Sequence, residues 1–158
     1  NTFKNEYPDF GGNYEVIHHT VFLQELLDSG KLKMKKGNAN MKIAYHDSCY
    51  LGRYNQIFDE PRNDLKRIGG VQILEPKKTG DKGLCCGAGG GQMFMEETEG
   101  KRVNVERTEQ LLDTGANCIA VNCTFCKTMI TDGVKAKDKE ESIQVKDIAE
   151  ILLENVEE

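Results

Sequence analysis

Residues 118–126 read Cys-Ile-Ala-Val-Asn-Cys-Thr-Phe-Cys, "CIAVNCTFC". Four residues of strand character, Cys118–Val121, run into a cysteine, and a helical pattern over Thr124–Lys135 begins at once. A short apolar strand feeding a helix is the repeating unit of an α/β sheet, and the rest of the chain repeats it. Met41–Tyr45 ("MKIAY"), Val71–Leu74 ("VQIL") and 143–145 read as further strands. Helical patterns separate them. Residues 13–28 carry Val16, Ile17, Val21, Leu23, Leu26 and Leu27 on one broad face, with Gly30 as the stop, before a polar, basic loop over 31–40. Asp59-Glu60-Pro61 reads as a helix start, with Asp59 as cap and proline in the first turn, running to about Ile68 and ending at Gly69-Gly70. Further helices are expected from Gly90 or Gly91, over 101–113, and after Asp147, where Glu150 completes a capping-box spacing and Ile148, Leu152 and Val156 share a face.

Strand alternating with helix predicts an open, mainly parallel, Rossmann-like α/β sheet with helices on both faces. In such sheets ligands sit beyond the carboxyl ends of the strands. Cys49 follows the first strand, Cys85 and Cys86 lie in the loop after the second, and Cys123 and Cys126 follow the third. Five cysteines from three separated segments are therefore expected at the C-terminal ends of the strands. Cys118, at the start of its strand, reads as an ordinary core residue.

The chain has 158 residues, 38% of them hydrophobic and 30% charged, which suits one soluble domain spanning 1–158. A net charge of −5 argues against general nucleic-acid binding. No apolar run approaches the length of a membrane span, and no signal peptide is evident. The first residue is Asn1 rather than Met, so the expectation is a piece of a longer chain.

Cys123-x-x-Cys126 at a helix start favours thiolates, because free N–H groups and the helix dipole stabilise negative charge there. Alone it is compatible with a redox dithiol, half a zinc site or part of an iron–sulfur site. Five clustered thiolates need several positive charges between them. Zinc takes four ligands in its usual structural site, and a simple cubane cluster also takes four. A larger or irregular iron–sulfur assembly uses all five, while zinc with one free thiol, and a metal-free thiol–disulfide module, stay open. The stretch 83–94, "GLCCGAGGGQMF", supplies Gly87, Gly89, Gly90 and Gly91 next to the paired cysteines. Glycines there let backbone approach a bulky inorganic group and turn N–H groups toward its sulfurs. A nucleotide loop fails on spacing, since neither the dinucleotide fingerprint nor a Gly-Lys-Ser/Thr ending is present.

The pattern Cys49, Cys85-Cys86, Cys123-x-x-Cys126 resembles the cysteine-rich "CCG" domain of heterodisulfide reductase catalytic subunits and related iron–sulfur oxidoreductases. "YEVIHHT" at 14–20, "YHDSCYLGRYN" at 45–55, "DEPR" at 59–62 and "NVER" at 104–107 also look familial. The resemblance implies a noncubane 4Fe–4S cluster held by Cys49, Cys85, Cys86, Cys123 and Cys126, electron transfer, and in some members reduction of a disulfide between two thiol coenzymes. Relatives instead pass on electrons from 2-hydroxy acids, or from electron-transferring flavoprotein to quinone, and zinc occurs in one copy of the domain in some members. It further implies a second, C-terminal copy within a longer chain, with a ferredoxin-like 4Fe–4S domain and a first CCG copy, and a flavoprotein or a membrane quinone or cytochrome subunit as redox partner. A cytoplasmic location, at the inner face of a membrane through another segment or partner, goes with this. Thr124 stands where the family often has proline.

Other residues carry paired expectations. His46 is expected to support the centre from behind its ligands or deliver a proton to a substrate thiolate, and Asp47 to brace a turn. Arg53 is expected to meet cluster charge or an anionic substrate group, or else to form a surface ion pair. His18 and His19 are expected on the first helix, away from the cysteine edge. Met93-Phe94-Met95 reads as core packing, and the acidic tail 154–158 as a solvated helix end.

Overall fold

The computed structural model describes residues 1–97 and 99–157. Four strands form one sheet, β1 (Met41–Tyr45), β2 (Val71–Leu74), β3 (Cys118–Val121) and β4 (Gln144–Asp147). All neighbours are parallel and the order is β2-β1-β3-β4. The chain steps from β1 to one side and then returns to its other side with β3. The switch point of the sheet thus lies between β1 and β3, where an open α/β sheet leaves a crevice.

Alternation along the strands divides two cores. Ile43, Tyr45, Cys118 and Ala120 pack with Leu65 and Ile68, at the end of α3 (Asp59–Lys66), and with Ile148, Ile151 and Leu152 of α6 (Ile148–Asn155). Leu23 and Leu27 of α1 (His19–Asp28) complete that layer. Ala44, Ile119 and Val121 face the other way, onto Leu111 of α4 (Val103–Leu112) and Met129, Ile130 and Val134 of α5 (Thr124–Lys135). Burial on both faces explains why "CIAV" carries no polar residue. Each fully buried isoleucine or leucine contributes roughly 1.5–3 kcal/mol.

β1, β2, β3 and α5 match the sequence expectation residue for residue, and Asp147 and Glu150 form the expected capping box, with Asp147 Oδ1 accepting from Ala149 N at 2.9 Å and Glu150 Oε2 from Asp147 N at 2.7 Å. Several boundaries differ. The first helix begins at His19 rather than near 13, because His18 is extended and caps it. Asp59 is the first helical residue of α3 and Phe58 the cap. The fourth strand runs to Asp147 rather than stopping at 145. A helix missing from the sequence reading, α2 (Cys49–Asn55), follows β1. The helix expected from Gly90 or Gly91 is a 3-10 turn, Gly89–Phe94, because Gly90 and Gly91 adopt left-handed φ of 65° and 78° that break an α-helical run.

The acidic tail is not a free helix end. Met34 and Val156 form an antiparallel bridge, and Glu157 N donates to Lys33 O at 2.8 Å. Glu158 lies outside the described residues. Among the described residues no helix is long and apolar enough to cross a membrane.

Candidate metal centre

The carboxyl end of β1 runs into buried His46, Asp47 and Ser48, and Cys49 opens α2. The carboxyl end of β3 runs into buried Asn122, and Cys123 caps α5 with Cys126 in its first turn. Cys85 and Cys86 arrive from the loop after β2. All five cysteines line one cavity of about 260 Å³ at the switch point, and Tyr50, Phe94 and Phe125 help wall it. No cysteine is in a disulfide. Cys118 lies instead in the core of the α3/α6 face, where burial pushes its thiol up to about 11.

The loop carrying Cys85 and Cys86 is tied from below. Asp47 accepts from Gly80 N at 2.7 Å and Thr79 Oγ1 at 3.1 Å, and Arg62 bonds the same carboxylate. Arg53 donates to the carbonyls of Asp81, at 3.1 Å, and Gly83. Its guanidinium therefore fastens the cysteine loop, and it makes no ion pair among the described residues. Gly87 has φ of 89°, and a Cβ there would stand 3.2 Å from both Asn104 N and Val103 Cβ at the start of α4. Its N–H donates to Cys85 Sγ at 3.3 Å. Gly89 and Gly91 line the cavity, and a Cβ at Gly89, Gly90 or Gly91 would meet nothing within 4 Å.

The thiols share protons. Hydrogen bonds from Cys126 and Cys85, and then from His46, hold the Cys86 thiol far below the ordinary range. Cys126 is pushed up by its bonds to Cys123 and then Cys86, and Cys85 by its bond to Cys86. Cys123 is lowered to about 6 by the Cys126 thiol, against burial, and then by the N–H groups of Cys126 and Phe125 at the helix start. Removing every proton would concentrate thiolate charge in a buried space, which only cations can offset. Five soft donors around one cavity suit iron–sulfur or zinc chemistry and not hard oxygen-seeking ions.

His46 is 1% exposed, and a ring nitrogen lies within 4.8 Å of the sulfurs of Cys86 and Cys126. Burial, and then the charge of Arg107, lower its pKa against the pull of Cys86. Arg107, the last residue of the "NVER" stretch, and Asn122 were given no role by sequence reading. Arg107 shares the buried face of α4 with Asn104, Thr108 and Leu111, so that face offers no apolar stripe against which a buried charge would stand out. Asn122 donates to Tyr45 Oη at 2.7 Å, while its Oδ1 is buried without a partner.

His18 and His19 are not remote from the cysteine edge. His19 meets Asp147, at the carboxyl end of β4, at 3.2 Å. His18 borders a second cavity of about 360 Å³ that shares Ser48, Tyr50, Cys123 and Phe125 with the cysteine cavity. Burial, and then the neighbouring His19, lower the His18 pKa to about 4, so its ring is neutral at pH 7. Both histidines reach this edge because α1 begins only at His19, with His18 extended as its cap. Met93 packs on the core as expected, but Phe94 and Met95 are 83% and 57% exposed, Phe94 in the wall of the cavity, because a tight turn kinked at left-handed Gly90 and Gly91 replaces the helix that would have carried them.

Comparison with known proteins gives a consistent picture. The model of the CCG family, described as a cysteine-rich domain, matches residues 43–131. The chain is 50% identical over 156 residues, 99% of its length, to the probable iron-sulfur-binding oxidoreductase FadF of Bacillus subtilis, and covers 22% of that protein. It is 52% identical, over 94% of its length, to the EtfAB:quinone oxidoreductase of Syntrophomonas wolfei, again covering 22%. It is 37% identical, over 89% of its length, to one of the subunits of the dihydromethanophenazine:CoB–CoM heterodisulfide reductase of Methanosarcina barkeri, covering 34%. The chain thus spans about a fifth of the first two relatives and a third of the other. No solved structure matches.

Proposed function

This chain belongs to the family of CCG cysteine-rich domains, and we propose that it is one iron–sulfur domain of a longer oxidoreductase, with Cys49, Cys85, Cys86, Cys123 and Cys126 holding a noncubane 4Fe–4S cluster. The observation that carries this reading is the meeting of five thiols, from three separate loops, around one cavity at the switch point of the sheet. Five donors exceed what a single zinc or a cubane takes. When bound, the cluster supplies one-electron transfer and a site for a substrate sulfur.

The chain's own residues do the rest. Arg53 and Asp47 hold the loop of Cys85 and Cys86 in register with the ends of β1 and β3. Gly89 and Gly91 keep side chains out of the cavity, and the Gly87 N–H stabilises charge on Cys85. Tyr50, Phe94 and Phe125 limit water at the mouth. The reaction most in keeping with this site is reduction of a disulfide, in which two electrons and two protons convert one S–S bond to two thiols. Electrons reach the domain from ferredoxin-like clusters elsewhere in the full protein. The relative named for quinone reduction favours a second role, electron relay between a flavoprotein and a membrane quinone partner, on the cytoplasmic side. The zinc alternative draws on one observation, the approach of His46, Cys86 and Cys126 to within 4.8 Å.

Anaerobic purification and reconstitution test this. About four irons and four sulfides per chain are expected, lost when any one of the five cysteines becomes serine, together with a paramagnetic signal that broadens on adding a substrate thiol. One zinc and no sulfide, persisting after reconstitution with iron, overturns the reading.

A further inference from the structure

Arg107 is 0% exposed, and among the described residues no carboxylate pairs with it. Its Nη1 donates to Lys78 O at 2.8 Å and Gln110 Oε1 at 3.3 Å, its Nε donates to His46 Nδ1 at 3.0 Å, and its Nη2 has no partner. A buried cation without a carboxylate needs compensating charge nearby. The charge that acts on it most is the Asp47 carboxylate, itself held by Arg62, and after it Cys126 in the cysteine cavity on the far side of His46.

We propose that Arg107 fixes His46 in the tautomer with its proton on Nε2, so that His46 serves the centre as a hydrogen-bond donor to Cys86 Sγ and is neither a metal ligand nor a proton donor to substrate. The proposal rests on the reading of the cysteines as cluster ligands. An arginine side chain has five N–H donors and no acceptor, and stays protonated in proteins. Its Nε–H therefore requires a lone pair on His46 Nδ1. A neutral imidazole with a bare Nδ1 carries its proton on Nε2. A second proton on Nδ1 would set N–H against N–H beside a full positive charge. With Nδ1 occupied, Nε2–H is the edge left for the cysteine cavity, where the sulfurs of Cys86 and Cys126 stand within 4.8 Å of a ring nitrogen. A protonated ring nitrogen cannot ligate a metal, so the compact group of His46, Cys86 and Cys126 is not a three-ligand zinc site. A hydrogen bond to a ligand sulfur stabilises the more negative, reduced state of a cluster and raises its potential. Arg107, which touches no sulfur, is the positioning residue of this relay.

Nitrogen-15 spectra of histidine-labelled protein read the tautomer directly, in both metal-free and cluster-loaded forms. A neutral His46 with an unprotonated Nδ1 is expected in both, and a protonated Nδ1 overturns the proposal. Because loss of Arg107 threatens folding, the variants are made at His46. His46→Gln keeps an N–H near the Nε2 position and an oxygen facing Arg107. It is expected to retain iron, sulfide and the wild-type reduction potential. His46→Leu is expected to retain iron and sulfide but to show a lower potential. Loss of iron and sulfide in His46→Leu, as in a cysteine-to-serine variant, would make His46 a ligand and overturn the proposal. Should wild-type protein take up no iron–sulfur cluster, the functional reading fails, while the metal-free spectrum still decides the tautomer.

Discussion

Asp47 and Arg62 form a two-pronged ion pair, Nη1 to Oδ1 at 2.8 Å and Nη2 to Oδ2 at 3.0 Å, beneath the loop that carries Cys85 and Cys86. Arg62 also reaches Glu75 at 2.7 Å and lies 4.6 Å from the centroid of the Tyr45 ring. One buried carboxylate at the end of β1, one guanidinium from α3 and the loop after β2 thus form a single knot. It sets the height of two cysteines above the sheet.

Replacing Asp47 by alanine leaves Arg62 half-paired and frees Gly80 N. A loss of about 3 kcal/mol is expected in urea unfolding, with faster hydrogen exchange across 76–84. Burial alone would raise the Asp47 pKa, but the Arg62 guanidinium and the Gly80 N–H more than offset it and hold the carboxyl below its usual value. The folded pKa is depressed, so this stability is present above about pH 4 and is lost as the pH falls through the folded value. Asp47→Ala should therefore flatten the acid limb of the stability curve. An unchanged limb would place the acid sensitivity elsewhere.

Asp64 behaves with the opposite sign. It is fully buried on the inner face of α3, and neither carboxyl oxygen has a hydrogen-bond partner. Burial, and then the nearby Asp28, raise its pKa to about 7. Ionisation destabilises the fold, so stability declines as the pH rises from about 4 toward 7 and stays reduced above that. Asp64→Asn should stabilise the protein by about 3 kcal/mol at pH 8 and have little effect at pH 4. Paired denaturation curves at the two pH values check this, and equal effects at both would refute it.

α4 and α5 cross at Gly133. A Cβ there would sit 2.1 Å from Thr108 Oγ1, 2.9 Å from Thr108 Cβ and 3.0 Å from Asn104 O. Gly133→Ala must push α4 away from α5, at a cost of about 2 kcal/mol or more. The displacement reaches Arg107 and, through Gly87, the cysteine loop. Reduced thermal stability and a changed His46 nitrogen spectrum are expected together. A wild-type spectrum in a destabilised variant would show that the crossing acts on stability alone.

In metal-free protein the thiols should react unequally. Cys123, lowered to about 6, is half-buried beside the cavity mouth, while Cys118 is buried and raised to about 11. Iodoacetamide at pH 7 should label Cys123 within minutes and leave Cys118 untouched, as peptide mass mapping would show. Cys118→Ala should retain the full iron and sulfide content, at a stability cost of about 1 kcal/mol. Metal loss in that variant would contradict the division of the six cysteines into five and one.

Three of the four strands, α5 and the Asp147 capping box were legible in the sequence because their signals are local. "MKIAY", "VQIL" and "CIAV" each show a short apolar run bounded by polar or glycine residues, and a cap needs only the residue three positions on. The gathering of Cys49, Cys85, Cys86, Cys123 and Cys126 at one edge also followed, since parallel strands all end on the same side. Local signals stop there. The order β2-β1-β3-β4, and with it the switch point between β1 and β3, depends on which strands pair, and pairing is decided by burial across the whole sheet. The arrival of His18 at the Cys123 edge depends on 13–18 staying out of the helix that the spacing of Val16, Ile17 and Val21 suggests. Arg107 and His46 are 61 residues apart, and nothing near either one announces the other. Their bond forms because α4 packs over the end of β1 and sets the buried guanidinium against the His46 ring as well as Lys78 O and Gln110 Oε1, so local spacing carried which sulfurs meet and long-range packing chose what stands behind them.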